Sequence, residues 1–163
     1  MAIRAVGAAM ALTRRAQGRL LDGHTLTKTD HSPVTVADFA VQAVVTTILA
    51  EGAGAVTMIG EEGPDDLVGD AGAPLLDGVT RLAADALGRD IAPAGVLDAI
   101  ALGGHDTTDG RVWTLDPIDG TKGFLRGQQY AVALACIRRG RVIRGMMACP
   151  NLSIDHEARV DAA

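Results

Sequence analysis

Trp113-Thr114-Leu115-Asp116-Pro117-Ile118-Asp119-Gly120-Thr121-Lys122-Gly123-Phe124 packs an apolar strand, two carboxylates and a glycine turn into twelve residues. Pro117 has no N–H for a sheet ladder, so the pattern predicts that Asp116 ends a buried strand and that the chain leaves the sheet at the proline. Asp119 then returns a second carboxylate within one turn. Gly120 admits backbone conformations that other residues avoid, which lets neighbouring N–H groups face a ligand. Taken alone, Asp-Pro and Asp-Gly are ordinary turn formers. Two carboxylates about 4 Å apart nevertheless repel by roughly 4 kcal/mol at an effective dielectric of 20, so an acidic pair calls for a cation or a proton. Asp116 and Asp119, with the Ile118 carbonyl between them, offer the hard oxygen donors that Mg²⁺ prefers.

Upstream, residues 55–60 form a short apolar run with β-branched members that ends at glycine, which predicts a buried strand with Glu61 and Glu62 at its end. Glu61 is the natural third carboxylate. Residues 33–50 have helical spacing, with Ser32 as cap and Pro33 at the first position, and carry Asp38 one turn from Val34 and from Gln42. An earlier amphipathic helix uses Ile3, Val6, Met10, Ala11, Gln17, Leu20 and Leu21, and Asp22-Gly23 stops it. Two further helices are expected at 78–87 and 94–102. Strands are expected at 111–115, 130–137 and 141–148, the last two joined through Arg138-Arg139-Gly140. The economical fold is one α+β domain, a layered sandwich with helices packed on a largely antiparallel sheet.

The 163 residues suffice for a substantial core. With 48% apolar but only 2% aromatic residues, that core must be built from Ala, Val, Leu and Ile. A formal charge of −5 argues against a nucleic-acid-coating surface. The arginines around residues 138–144 lack interleaved aromatics and suggest a solvated hairpin. His24, His31, His105 and His156 show no metal-ligand spacing. Cys136 and Cys149 make no disulfide framework and are expected to be reduced, in keeping with a cytoplasmic home. Arginines without acids in the first twenty-one residues are compatible with a transit peptide, but an amphipathic helix is the plainer reading. No membrane span is expected there, since Arg4, Gly7 and Thr13 interrupt the apolar positions.

Read together, residues 113–127 (WTLDPIDGTKGFLRG), Gln129-Tyr130-Ala131-Val132, Cys149-Pro150-Asn151-Leu152, Ile59-Gly60-Glu61-Glu62 and the segment from Thr27 to Asp38 resemble the 3′(2′),5′-bisphosphate nucleotidase branch of the inositol monophosphatase-like superfamily of magnesium-dependent, lithium-sensitive phosphatases. Lys122 and the long stretch between Glu61 and Asp116 favour that branch over inositol phosphatases. The resemblance implies that Glu61, Asp116 and the Ile118 carbonyl hold one Mg²⁺, and that Asp116 and Asp119 share a second. It further implies that Asp38 and Thr121 direct the attacking water, and that the N–H groups of Gly120 and Thr121 meet the phosphate. Glu62 is set aside as a neighbour of the ligands.

The implied reaction is hydrolysis of adenosine 3′,5′-bisphosphate to AMP and phosphate, a step of the kind that serves sulfur assimilation. The alternatives are an inositol- or sugar-phosphate phosphatase, or an inactive fragment or interaction module of the same fold. Residues 1–163 correspond to the N-terminal, metal-binding half of such a phosphatase. The matching second half would supply a further aspartate in a Trp-Asp motif, nucleotide-contacting residues and a closing domain. Trp113 is the only tryptophan and is followed by threonine. A surface normally covered by that half would favour self-association.

Overall fold

The computed structural model describes residues 1–21, 33–106 and 110–152. The expected stop at Asp22-Gly23, the Ser32 cap, the part of the upstream segment before Pro33, His24, His31, His156 and the tail beyond Leu152 lie outside the described residues.

Along the chain come helices α1 (Ala2–Leu21) and α2 (Pro33–Ala53), strand β1 (Thr57–Ile59), a 3₁₀ turn (Pro64–Leu67), helices α3 (Gly69–Leu87) and α4 (Pro93–Ala101), strand β2 (Arg111–Asp119), the short helix α5 (Thr121–Leu125), and strands β3 (Ala131–Arg138) and β4 (Arg141–Ala148). The sheet order is β1-β2-β3-β4. β1 runs parallel to β2, and the other two pairings are antiparallel, so the α+β class and the largely antiparallel sheet are as expected.

α2 is the hub. It is apolar on all sides, with Val36, Ala37, Ala40, Val41, Val44 and Val45 at 0% exposure, and it packs against α1, α3, α4 and β2. By composition it is long and apolar enough to cross a membrane, yet two thirds of that window is buried inside the protein. A helix that is hydrophobic all round belongs in a core when other elements enclose it. α1 lies against it and buries Ala5, Ala9, Leu12 and Ala16, mostly small side chains of the kind that let helices approach closely. Here the expected stripe is corrected: Ile3 is 81% exposed and Leu21 56%. Ala11 is exposed as well, and the buried stripe runs instead through Ala5, Ala9, Leu12 and Ala16, with Ile3 and Leu21 turned away from it.

Two further expectations change. α3 begins at Gly69 and runs through Pro74, so the glycines and proline before residue 78 do not hold the helix off. Near a helix start, a proline removes only one bond of the ladder. β2 does not leave the sheet at Pro117 either. It continues to Asp119, with Asp116 opposite Ala133 and Asp119 opposite Ala131, so three steps on β2 face two on β3. This one-residue bulge is where a sheet tolerates a residue without an N–H.

The helices cover one face of the sheet, where Trp113, Leu115, Val132, Leu134 and Cys136 point into the core. The opposite face carries Thr114, Asp116, Ala133, Ala135, Gly145 and Met147, which line an open trough of about 340 Å³ together with the strand backbones. Val142 and Met147, each 65% exposed, extend its apolar surface to the β4 edge. Arg139 (φ 51°) and Gly140 (φ 72°) form the two-residue turn before β4, with the paired positive φ values that suit the twist of a tight hairpin.

The α1–α2 contact makes a direct prediction. Ala9→Leu should destabilise the chain by about 1–3 kcal/mol through overpacking, whereas Ile3→Ala should stay within about 0.5 kcal/mol. Urea denaturation checks both, and the reverse order would contradict the assignment of the buried face.

Candidate active site

The parallel pairing of β1 and β2 creates the site. Thr57, Met58 and Ile59 lie opposite Val112, Trp113 and Thr114. Glu61 and Asp116 therefore each follow the last paired rung by two residues, at the same end of adjacent strands. Asp38, on the second turn of α2, joins them from the helix layer. Its carboxyl is pushed up to about 8, first by burial and then by the negative charges of Glu62, Glu61 and Asp116. Asp116 is also raised, by burial and by Glu61 and Asp119, against the lowering effect of a hydrogen bond from the Ile118 N–H. Asp38, Glu61, Asp116 and Asp119 thus share one electrostatic neighbourhood, although they come from three places in the sequence.

Glu62 belongs to it as well. It is half-buried, its carboxyl is raised by burial, Glu61 and Asp66, and it is the foremost charge acting on Asp38. The sequence offered Glu61-Glu62 as a pair, and setting Glu62 aside understated its electrostatic part. The residue that sequence reasoning passed over is Gln42, whose side chain touches the turn carrying both glutamates. The available signal was an amide among the apolar side chains of α2.

On the β2 side, Gly120 has φ +91° and links the bulged strand end to α5. Its carbonyl accepts from the N–H groups of Gly123 (2.8 Å) and Phe124 (3.1 Å), which turns the chain sharply after Asp119. The Thr121 hydroxyl donates to the Ile118 carbonyl at 3.4 Å. That carbonyl has two lone pairs and can accept a second partner. Asp119, Gly120 and Thr121 are all solvent-exposed. α5 spans five residues, too few for a substantial macrodipole, so any anion contact at Gly120 and Thr121 would depend on individual N–H groups.

The turn is held from outside. Gln17 on α1 donates to the Phe124 carbonyl at 2.8 Å, and Asn151 donates from its side-chain amide to Gln17 Oε1 (2.8 Å) and to the Gln128 carbonyl (2.7 Å). The Asn151 N–H also donates to Gln129 Oε1 at 3.2 Å. Phe124 and Tyr130 pack edge to face with ring centroids 5.0 Å apart. Gly123 lies directly against the Gln129 carbonyl, leaving no room for a Cβ. The Gln129-Tyr130 and Pro150-Asn151 segments therefore brace the loop that follows the carboxylates.

No three carboxylate, imidazole or thiolate side chains among the described residues stand close enough to close a metal shell. The donors nonetheless fit a hard divalent cation in kind. They are all oxygens, and the Asp38 and Asp116 carboxyls are raised by burial and then by neighbouring negative charge, a penalty that a cation would relieve. His105 is exposed and no shared ligand group includes it.

These shifts fix the sign of a pH effect in the metal-free chain. A carboxyl protonated when folded and ionised when unfolded makes folding take up a proton, so the Asp38 contribution to stability is fully present below pH about 4 and is lost as pH rises through about 8. Thermal melts in chelator should show that decline, and Asp38→Asn should flatten it without abolishing it, because Asp116 and Glu62 shift the same way. An unchanged slope in Asp38→Asn would contradict the assignment. Separately, Asn151→Leu should cost about 1 kcal/mol, chiefly by removing the part-buried bond to Gln17 Oε1, which urea denaturation would measure.

Known proteins resemble the chain along nearly its whole length. The chain is 40% identical over 161 residues to 3′(2′),5′-bisphosphate nucleotidase 1 of Arabidopsis thaliana, covering 93% of this chain and 46% of that protein. It is 38% identical over 167 residues to a 3′(2′),5′-bisphosphate nucleotidase of Schizosaccharomyces pombe, covering 95% and 47%. The chain thus spans about half the length of the curated relatives it matches. A solved inositol monophosphatase II from Staphylococcus aureus aligns with 86% of this chain and 40% of its own, at 24% identity and a TM-score of 0.43. The model of the inositol monophosphatase family, whose members are generally metal-dependent phosphatases, matches residues 1–160. With that model matching nearly its whole length, the chain belongs to the inositol monophosphatase family.

Proposed function

We propose that the chain carries the metal-binding part of a Mg²⁺-dependent phosphomonoesterase that converts adenosine 3′,5′-bisphosphate to AMP and phosphate. The observation that carries this reading is the convergence of Asp38, Glu61, Asp116 and Asp119 at the ends of the parallel pair β1–β2. The names of the similar nucleotidases support the substrate class. Glu61, Asp116, Asp119 and the Ile118 carbonyl would hold Mg²⁺, which supplies Lewis acidity and lowers the pKa of bound water when present. Asp38 would accept a proton from the attacking water, and the Thr121 hydroxyl would orient that water. The water oxygen bonds to phosphorus as the bond to the ribose oxygen breaks, and the departing oxygen takes up a proton. The N–H groups of Gly120 and Thr121 would meet the phosphate. No covalent phosphoenzyme is involved. The free thiols of Cys136 and Cys149 are compatible with a cytoplasmic setting.

A second reading, a fold-bearing module without turnover of its own, is favoured by one specific observation: the described acids do not close a metal shell by themselves. In that reading the missing ligands and the cover for the open face of the sheet come from elsewhere, and self-association through Val142 and Met147 becomes the expected behaviour of the isolated chain.

Assay of the purified chain with Mg²⁺ against adenosine 3′,5′-bisphosphate and inositol 1-phosphate separates these readings. Phosphate release from the nucleotide in preference to the inositol ester, lost in Asp116→Ala, is the expected result. Release from neither would favour the inactive module. Preference for inositol 1-phosphate would move the substrate assignment to the other branch.

A further inference from the structure

We propose that Gln42 is a positioning residue for the candidate metal site, fixing the backbone from which Glu61 is presented. The inference rests on the metal-binding reading of Glu61 and Asp116. Gln42 has 0% exposure in the middle of α2, where Thr46 is the other buried polar side chain among the described residues of that helix. A primary amide withdrawn from water is costly unless its hydrogen bonds are replaced. Here they are replaced on the acidic turn. Oε1 accepts from the N–H groups of Glu61 (3.1 Å) and Glu62 (3.0 Å), while Nε2 donates to the carbonyls of Glu62 (2.7 Å) and Ile100 (3.3 Å). Two donor hydrogens and two acceptor sites are thereby used, which is the full capacity of the group. The orientation of the amide is determined too, because a flipped group would set NH₂ against two backbone N–H donors.

The surroundings are shaped to this one side chain. A Cβ on Gly60 would lie 2.5 Å from Gln42 Oε1, and one on Gly103 would lie 2.6 Å from Nε2. Gly60 in turn donates its N–H to the Gly103 carbonyl at 2.8 Å, and Ile59 forms an isolated antiparallel bridge with Gly104. The amide therefore joins α2, the exit of β1 and the end of α4 at one point. Glu61 itself is exposed and follows a strand of only three residues, so its own side chain has little to restrain it. What can be fixed is its backbone, and Gln42 does so. Asparagine is one methylene short of this reach, leucine offers no polar atoms, and glutamate would add charge beside Glu61 and Glu62.

The test uses the full chain with Mn²⁺ as the probe, titrated calorimetrically. Wild type should bind the ion and Asp116→Ala should lose it, which establishes the underlying site. Gln42→Leu should then weaken binding by about 10–100-fold, the range typical of residues that orient metal ligands. Thr46→Val is the control for mere core disturbance. It removes a buried polar contact, to Met58 Sδ at 2.9 Å, one turn farther along α2 and away from Glu61, and should bind Mn²⁺ like wild type. If Gln42→Leu does not fold, Gln42→Asn takes its place with the same expected order. Wild-type affinity in the Gln42 variant, beside a lost site in Asp116→Ala, would overturn the positioning role alone. An equal loss in Thr46→Val would overturn it as well, by assigning the effect to general destabilisation. Absence of Mn²⁺ binding by wild type would overturn the metal-site reading and this inference with it.

Discussion

The parallel pairing of β1 with β2 is the constraint on which the rest depends. It joins strands separated by more than fifty residues and sets Thr57–Ile59 against Val112–Thr114. With that register, the carboxylates of Glu61 and Asp116 emerge from the same end of the sheet. A parallel pair requires a long crossover, and the segment containing α3 and α4 provides it. The same crossover brings the Gly103-Gly104 turn back beside Gly60, so the connection that permits the pairing also supports one wall of the site. Antiparallel β3 then completes the sheet beside β2 and fixes Asp116 and Asp119 through the bulge at Pro117 and Ile118.

Concentrating acids at a strand end opposes stable folding, and the fold bears that cost through its apolar layers. α2 packs against α1, α3, α4 and β2 and contributes a largely buried surface. Burial of that surface is the main favourable term. It also removes Asp38 from water, so the helix that stabilises the domain is the one that perturbs a site residue most. Stability and chemistry are therefore coupled through a single element, as expected where polar groups must be held at the margin of a core.

Much of this was legible in residues. The β-branched run before Glu61, the alternation around Trp113 and Leu115, and the Arg139-Gly140 turn each announced their local structure through known preferences. Glu61, Asp116 and Asp119 stood out because strand ends and turn formers mark them, whereas Asp38, on a helix, was singled out by the family resemblance alone. The details that were not legible depend on partners distant in sequence. Pro117 reads as a strand terminator until β3 is beside it to form a bulge. Ile3 reads as core until the packing of α1 buries the stripe through Ala5, Ala9, Leu12 and Ala16 instead. Gln42 looks like an interruption of an apolar helix until the Glu61 and Glu62 N–H groups meet it. In each case a local preference was valid and a tertiary neighbour decided its consequence.

The central claim is that charges from three separate segments meet at the β1–β2 ends and need a cation there. Carboxyl-carbon NMR titration of Asp38 in the metal-free chain, repeated with saturating Mg²⁺, measures this most directly. The account predicts a midpoint near 8 without metal, displaced strongly downward when Mg²⁺ is present. A midpoint near the ordinary 3.8 that Mg²⁺ does not move would contradict it.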